Sequence, residues 1–380
     1  MKRAVKISDS VISPLGVGTE VNFLAICGGE SGLRHHSGSD RQLPEDFCAS
    51  LIDEKSLEKE YLKAGIPSDG GYTTFEKRLI LSISIALSGT SVDPSSDRVL
   101  FVISSTKGNV ELLHGEDPAG KEFPGYSAKR VATFFGNNVP PVVVSNACIS
   151  GLSAQISAVR ELECGHFDTV IVAGADIQSR FIISGFQSFK ALSPDPCRPF
   201  DSSRNGLNPG EAAATIIYSW KEPLEGEWVA VRGAIRNDAN HISGPSRTGE
   251  GSYRALKAVL EDPGELAFIN VHGTATVYND EMESIAIDRA GLSSVPVNGY
   301  KGYYGHTMGA AGIMETVLSM KAVDNGIIVG MKGYSECGVS RPLNISPSCR
   351  ETSLKAFIKL LSGFGGCNAA MLFRKTGGDR

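Results

Sequence analysis

Cys148 stands in Ser145-Asn146-Ala147-Cys148-Ile149-Ser150-Gly151, after the apolar run Val142-Val143-Val144 and before a helical pattern. A thiol at a strand-to-helix turn has the first amides of the helix aimed at it, and the helix dipole favours its thiolate. That setting predicts a nucleophile. Leu152, Ile156, Val159 and Leu162 share one face and Gly165 follows, which predicts a helix over 152–164. The plainer alternative, a small buried hydrophobe in an ordinary strand–turn–helix, has the same local sequence.

Two histidines extend the pattern. His272 lies in Asn270-Val271-His272-Gly273-Thr274-Ala275-Thr276, so it leaves the apolar run Leu266-Ala267-Phe268-Ile269 on a turn rich in hydroxyls. His306 lies in Gly305-His306-Thr307-Met308-Gly309-Ala310-Ala311-Gly312, a small-residue turn opening a helix that runs through Glu315 to about Val323. Both have a glycine neighbour, where backbone can approach a ligand closely, and strand ends are where open α/β sheets gather their chemistry. Ser362-Gly363-Phe364-Gly365-Gly366-Cys367-Asn368 separates two apolar runs. It predicts a tight turn whose amides can hold a developing oxyanion.

The elements that must carry these residues alternate. Strand-type runs at 99–103, 142–144, 169–173 and 215–218 are interleaved with helical stretches at 75–87 and 128–135, and the second half repeats the style, which predicts an α/β fold. The polar, turn-rich stretch Glu222-Pro223-Leu224-Glu225-Gly226-Glu227 divides the chain into 1–225, with the cysteine, and 226–380, with both histidines. With 380 residues, 41% hydrophobic and 21% charged, the chain can bury a large core, and a net charge of -5 gives no case for nucleic acid or an anionic membrane. No apolar run approaches the ~18 residues of a membrane span, and the first residues lack a signal-peptide core. Eight irregularly placed cysteines suit reduced thiols, hence the cytoplasm. Arg34-His35-His36 reads as solvated surface and not as a metal site. Gly206 and Gly210 form no phosphate loop. Asp201 and Glu211 read as braces.

The ordered set of motifs resembles the β-ketoacyl-[acyl carrier protein] synthases, specifically their elongating Cys-His-His branch. Its carriers are Ala147-Cys148 with Ser150-Gly151, His272-Gly273-Thr274 with Thr276 and Asn279-Asp280, Lys301 with Gly305-His306, the glycine–alanine turn 309–312, and Gly363-Phe364-Gly365-Gly366 with Asn368. Arg198-Pro199-Phe200-Asp201, Gly210-Glu211 and Ile12-Ser13-Pro14-Leu15-Gly16 extend it over nearly the whole chain.

The resemblance implies a thiolase-like fold of two similar halves in five α-β-α-β-α layers, and decarboxylative Claisen condensation in fatty acid, polyketide or polyene biosynthesis. It implies that Cys148 carries the acyl group and that His272 and His306 hold the enolate of the malonyl thioester. It implies that the amides of Cys148 and Phe364 form an oxyanion hole and that Lys301 and Glu315 support the histidines. Thr274 and Thr276 would bond a phosphopantetheine arm, Phe364 would gate the acyl pocket, and Ile149, bulkier than the family's small residue, would narrow it. Neither a metal nor a cofactor is implied beyond the phosphopantetheine of an acyl carrier protein. The expected partners are that carrier and a second synthase chain, as homodimer or heterodimer.

Ser145-Asn146 before Ala-Cys, Ala275, Cys367 and a short 108–126 segment depart from the family pattern. Two rivals share the fold: a thiolase, for which Cys367 would stand near the second cysteine, and a non-catalytic or partner-dependent subunit of the chain-length-factor kind.

Overall fold

One pattern of strands and helices runs through the chain twice in the computed structural model, which describes residues 1–67, 71–114 and 120–377. The first pass contains β1 (Arg3–Ser13), α1 (Thr74–Leu87), β2 (Val99–Ser104), α2 (Pro124–Phe134), β3 (Val142–Val144), α3 (Ser150–Glu163), β4 (Thr169–Asp176) and β5 (Ala212–Lys221). The second contains β6 (Trp228–Asn237), α4 (Glu250–Val259), β7 (Leu266–Asn270), α5 (Val277–Arg289), β8 (Pro296–Asn298), α6 (Ala311–Asp324), β9 (Ala356–Gly363) and β10 (Cys367–Lys375).

The strand orders correspond, β1-β5-β4-β2-β3 in the first sheet and β6-β10-β9-β7-β8 in the second. In each, two antiparallel pairings are followed by two parallel ones. β1 and β6 also pair antiparallel at Val5 and Val229, so the two sheets are continuous along that edge. The likeness of the halves lies in strand order and direction, which is why no repeat is visible residue by residue.

α3 and α6 lie between the sheets, and each touches strands of both. α1 covers the outer face of the first sheet beside α2, and α4 covers the outer face of the second with α5 against it, which completes five layers. Every residue of β2 and β4 is buried, since helices cover both faces, and such strands read as continuous apolar runs and not as alternation. The central core joins Leu152, Ile156, Ala214, Met314 and Phe357, while separate outer cores form around Leu79 and Phe101 and around Leu256 and Ile269.

The two central helices meet backbone to backbone. A Cβ on Gly312 would lie 2.3 Å from the Leu152 nitrogen, and one on Gly151 would lie 2.7 Å from the Gly309 carbonyl. Only glycine permits that approach.

Element boundaries differ from the sequence expectation where local chemistry extends a helix. α2 starts four residues earlier than the expected Ala128, because Pro124 sits in the first turn, where its missing N–H costs nothing. Within the segment 108–126, Val110–His114 forms a 3₁₀ turn, and residues 115–119 lie outside the described residues.

Candidate active site

Each candidate side chain leaves the end of a central element. β3 ends at Val144, and Ala147 adopts a positive φ of 45°, a conformation that costs a residue with a Cβ of order 1–3 kcal/mol. Ser150 holds this turn, its Oγ accepting from the Asn146 N–H at 2.8 Å and donating to the Ala147 carbonyl at 2.6 Å. α3 follows with Ile149 at its N-cap and no side-chain cap.

His272 leaves β7 on a loop held from beneath by α5. Glu283 accepts the backbone N–H groups of His272 and Gly273, both at 2.7 Å, and Asp280 accepts those of Ala275 at 3.2 Å and Phe200 at 2.7 Å. Ala275 is forced to a φ of 64°. His306 is fixed through its backbone, its N–H donating to the Asn208 carbonyl at 2.7 Å and its carbonyl accepting from Gly210 at 3.0 Å. Asp176 then takes the Gly309 N–H at 2.7 Å and binds Ser105 and Thr106 of the β2 end, tying that turn to the first half.

These placements converge. The Cys148 sulfur and a nitrogen of each imidazole lie within 4.8 Å of one another, and the rings meet edge to face with centroids 5.0 Å apart. The Met308 N–H donates to His306 Nδ1 at 3.3 Å, so the neutral ring carries its proton on Nε2, and that nitrogen is buried without a hydrogen-bond partner among the described residues. His272 Nδ1 is likewise buried and unpartnered. Burial first, and then the charge of Lys301, holds both imidazoles well below their usual range, so they are neutral at physiological pH.

Burial pushes the Cys148 thiol up, the reverse of the lowering expected from the helix end. Lys301, an N–H from Phe364 to the sulfur and Lys107 offset only part of that rise. Lys301 Nζ meets Glu315 Oε1 at 2.9 Å, both nearly fully buried. Lys359 Nζ meets the other oxygen, Oε2, at 2.5 Å. Two buried ammonium groups acting on both rings work against a divalent cation sharing the Cys-His-His cluster.

A cavity of about 470 Å³ holds the cluster. Cys148, His272, His306, Thr274, Thr276 and Phe364 line it, and the two threonine hydroxyls lie 2.9 Å apart. Phe364 is 39% exposed and packs edge-on against Phe189 at 5.7 Å with Phe186 at 6.4 Å, an aromatic group at the mouth. Gly363 closes β9 opposite Cys367 and presses on the Cys148 turn: a Cβ there would lie 3.1 Å from the Cys148 nitrogen.

Ile149, expected in the pocket wall, is fully buried in the central core and does not line the cavity, because the N-cap position turns its side chain inward. Cys367 directs its thiol at the Phe364 carbonyl, 3.2 Å away, and burial raises it to about 12; it does not line the cavity either. Asp201 takes the N–H groups of Ser203, Ser335 and Glu336, and Glu211 takes those of Ile52 and Gln178 and pairs with Arg78 at 3.1 Å. Both brace loops. His36, read as solvated, is half-buried against Phe47.

Sequence reasoning missed Glu283, Asp176 and Lys359. Only Lys359 left a local signal, as a charged residue inside the apolar run Phe357-Ile358-Lys359-Leu360-Leu361.

Residues 91–221 match the family described as Beta-ketoacyl synthase, N-terminal domain, and residues 229–334 match Beta-ketoacyl synthase, C-terminal domain. Nodulation protein E of Rhizobium meliloti (strain 1021) is 27% identical over 383 residues, covering 97% of this chain and 92% of that protein. The 3-oxoacyl-[acyl-carrier-protein] synthase 2 of the same strain is 26% identical over 436 residues, covering 100% of both. A solved structure of the ketosynthase ApeO in complex with its chain length factor ApeC, from Xenorhabdus doucetiae, superposes with a TM-score of 0.84 at 23% identity, covering 99% of this chain and 98% of that one. No helix among the described residues is long and apolar enough to cross a membrane.

Proposed function

The chain belongs to the β-ketoacyl synthase family, and from that premise we propose that Cys148, His272 and His306 carry out an elongating, decarboxylative condensation in the cavity they share. One observation carries this reading: a sulfur and two neutral imidazoles, each imidazole with a buried unpartnered nitrogen, meet within 4.8 Å.

The Cys148 sulfur attacks the carbonyl of an acyl-carrier thioester, and the carrier leaves as its thiol, taking the cysteine proton. A malonyl thioester then enters and loses carbon dioxide. The resulting enolate oxygen receives N–H bonds from His272 and His306, which stabilise the charge without consuming a proton. The enolate carbon attacks the Cys148 thioester. The tetrahedral oxyanion is held by the amides of Cys148 and Phe364, and its collapse expels the Cys148 thiolate and leaves a β-ketoacyl carrier. Neutral rings suit this task, since each must donate.

Thr274 and Thr276 would bond the phosphopantetheine arm along the cavity wall, and Phe364, lodged against Phe186 and Phe189, would gate the acyl end. Lys301 and Glu315 would keep the charge beneath the rings fixed. The substrates arrive on an acyl carrier protein, the compartment is the cytoplasm, and a second synthase chain, identical or related, would cover the outer edge of β3, which among the described residues pairs on one side only. The thiolase reading is disfavoured by Cys367, whose thiol faces backbone and not the cavity. An intact Cys148 disfavours the non-catalytic subunit.

Intact-protein mass spectrometry after exposure to a panel of acyl-carrier thioesters, with peptide mapping, tests the reading and reports acyl preference. The adduct is expected on Cys148, absent from Cys148→Ala, and retained in His272→Ala and His306→Ala, which lose condensation by about 100- to 1000-fold. Condensation by Cys148→Ala at the original rate refutes it.

A further inference from the structure

Lys359 lies in the middle of β9 and is fully buried. An ammonium in such a place is unfavourable unless oxygens replace its water shell. Here four do so. Its Nζ donates to Asn270 Oδ1 at 2.6 Å, to the Val271 carbonyl at 3.1 Å and to the Asn270 carbonyl at 3.3 Å, and it meets Glu315 Oε2 at 2.5 Å. Asn270 and Val271 are the two residues immediately before His272. Glu315 is held at its other oxygen by Lys301.

We propose that Lys359 is a positioning residue: its ammonium, seated in a four-oxygen slot, pins the strand end that delivers His272 and sets a fixed positive charge behind both imidazoles. The groups facing that charge are Glu315 from α6, Lys301 from the short turn 301–304 before His306, Glu283 from α5, and the two histidines. Lys301 and Lys359 both act to keep the rings unprotonated, whereas Glu315 alone would draw a proton onto them. The two ammoniums share the carboxylate of Glu315; burial raises Glu283 to about 7, so its carboxyl offsets part of the remaining positive charge, and burial lowers Lys359 to about 8. The inference rests on the proposed function for its catalytic consequence and on geometry alone for its electrostatic one.

The two parts separate in one experiment. The full chain, labelled with ¹⁵N-histidine, is titrated by NMR as wild type and as Lys359→Met, which fills the slot without charge, while Cys148 acylation and malonyl-thioester decarboxylation are followed alongside. The imidazole pKa values are expected to rise in the variant by on the order of one pH unit. The acid limb of decarboxylation should move with them, and acylation should stay close to wild type.

Imidazoles that titrate identically in the two proteins overturn the inference whatever the turnover. A titration shift in a chain whose wild type does not decarboxylate malonyl thioesters upholds the inference and counts against the function. For variants that do not fold in buffer, Lys359→Ala with propylammonium gives the readout: recovery of a native melting transition supports a cationic slot, and no recovery overturns it.

Discussion

Adding a single methyl group at Gly363 probes the approach of β9 to the Cys148 amide, which the proposed mechanism places in the oxyanion hole. The new Cβ would sit 2.9 Å from the Cys367 sulfur, 3.1 Å from the Cys148 nitrogen and 3.3 Å from the Ala147 Cβ. The cysteine sulfur can rotate away, but the Cys148 amide is backbone and must give by a few tenths of an ångström. Overpacking of this kind costs about 1–3 kcal/mol of stability. Complete loss of one oxyanion donor costs about 2.7–4 kcal/mol of barrier, and a displacement near 1 Å about 100-fold in rate. With a full ångström costing about 100-fold, a shift of a few tenths of an ångström places Gly363→Ala at about 2- to 10-fold slower acylation.

The assay is a time course of Cys148 acyl-enzyme formation by intact-protein mass spectrometry, with a denaturant melt alongside. Gly363→Ala combined with Cys367→Ala removes the sulfur contact and leaves the amide contact, so stability should recover more than rate. Wild-type acylation by Gly363→Ala, or equal recovery of both quantities in the double variant, refutes the reasoning.

Glu315→Gln leaves two buried ammoniums facing a neutral amide, and a loss on the order of 3–5 kcal/mol in denaturant unfolding is expected; an unchanged midpoint would show that the lysines are compensated elsewhere. Stability should also fall on acidification. The folded imidazoles of His272 and His306 lie below their unfolded value of about 6.5, so the unfolded chain binds more protons beneath that pH, costing each ring up to about 1.4 kcal/mol per pH unit until the folded pKa is reached. Urea melts between pH 7 and 5 measure this, and replacing either histidine by asparagine should flatten the slope.

Much of this site can be read from the chain because turns that present chemistry demand small residues. Cys148 before Ser150-Gly151, His272 before Gly273, His306 after Gly305 and the 363–366 turn all mark places where backbone must bend or come close, and all reach one cavity. The residues that hold them are less legible, since their partners come from distant strands and helices. Lys359 meets Asn270 across parallel strands and Asp176 meets Gly309 between the two halves, and neither spacing has a local signature. Ile149 shows the limit of arguing from adjacency: it follows the nucleophile directly, yet the start of α3 turns it away from the cavity. The thiol shows a related limit: a helix end favours the thiolate, whereas burial, which no local pattern reports, favours the thiol.

The glycine crossing of α3 and α6 acts as a gauge block for the reactive centre. Cys148 lies two residues before one helix and His306 five before the other, and where Gly151 meets Gly312 no side chain intervenes whose size could be adjusted. Substitutions elsewhere can reshape the mouth or the walls without altering the stand-off between sulfur and ring. Diversity in what such a site accepts then has to arise at its periphery, around Phe186, Phe189 and Phe364, while the chemistry at the centre keeps a constant calibre.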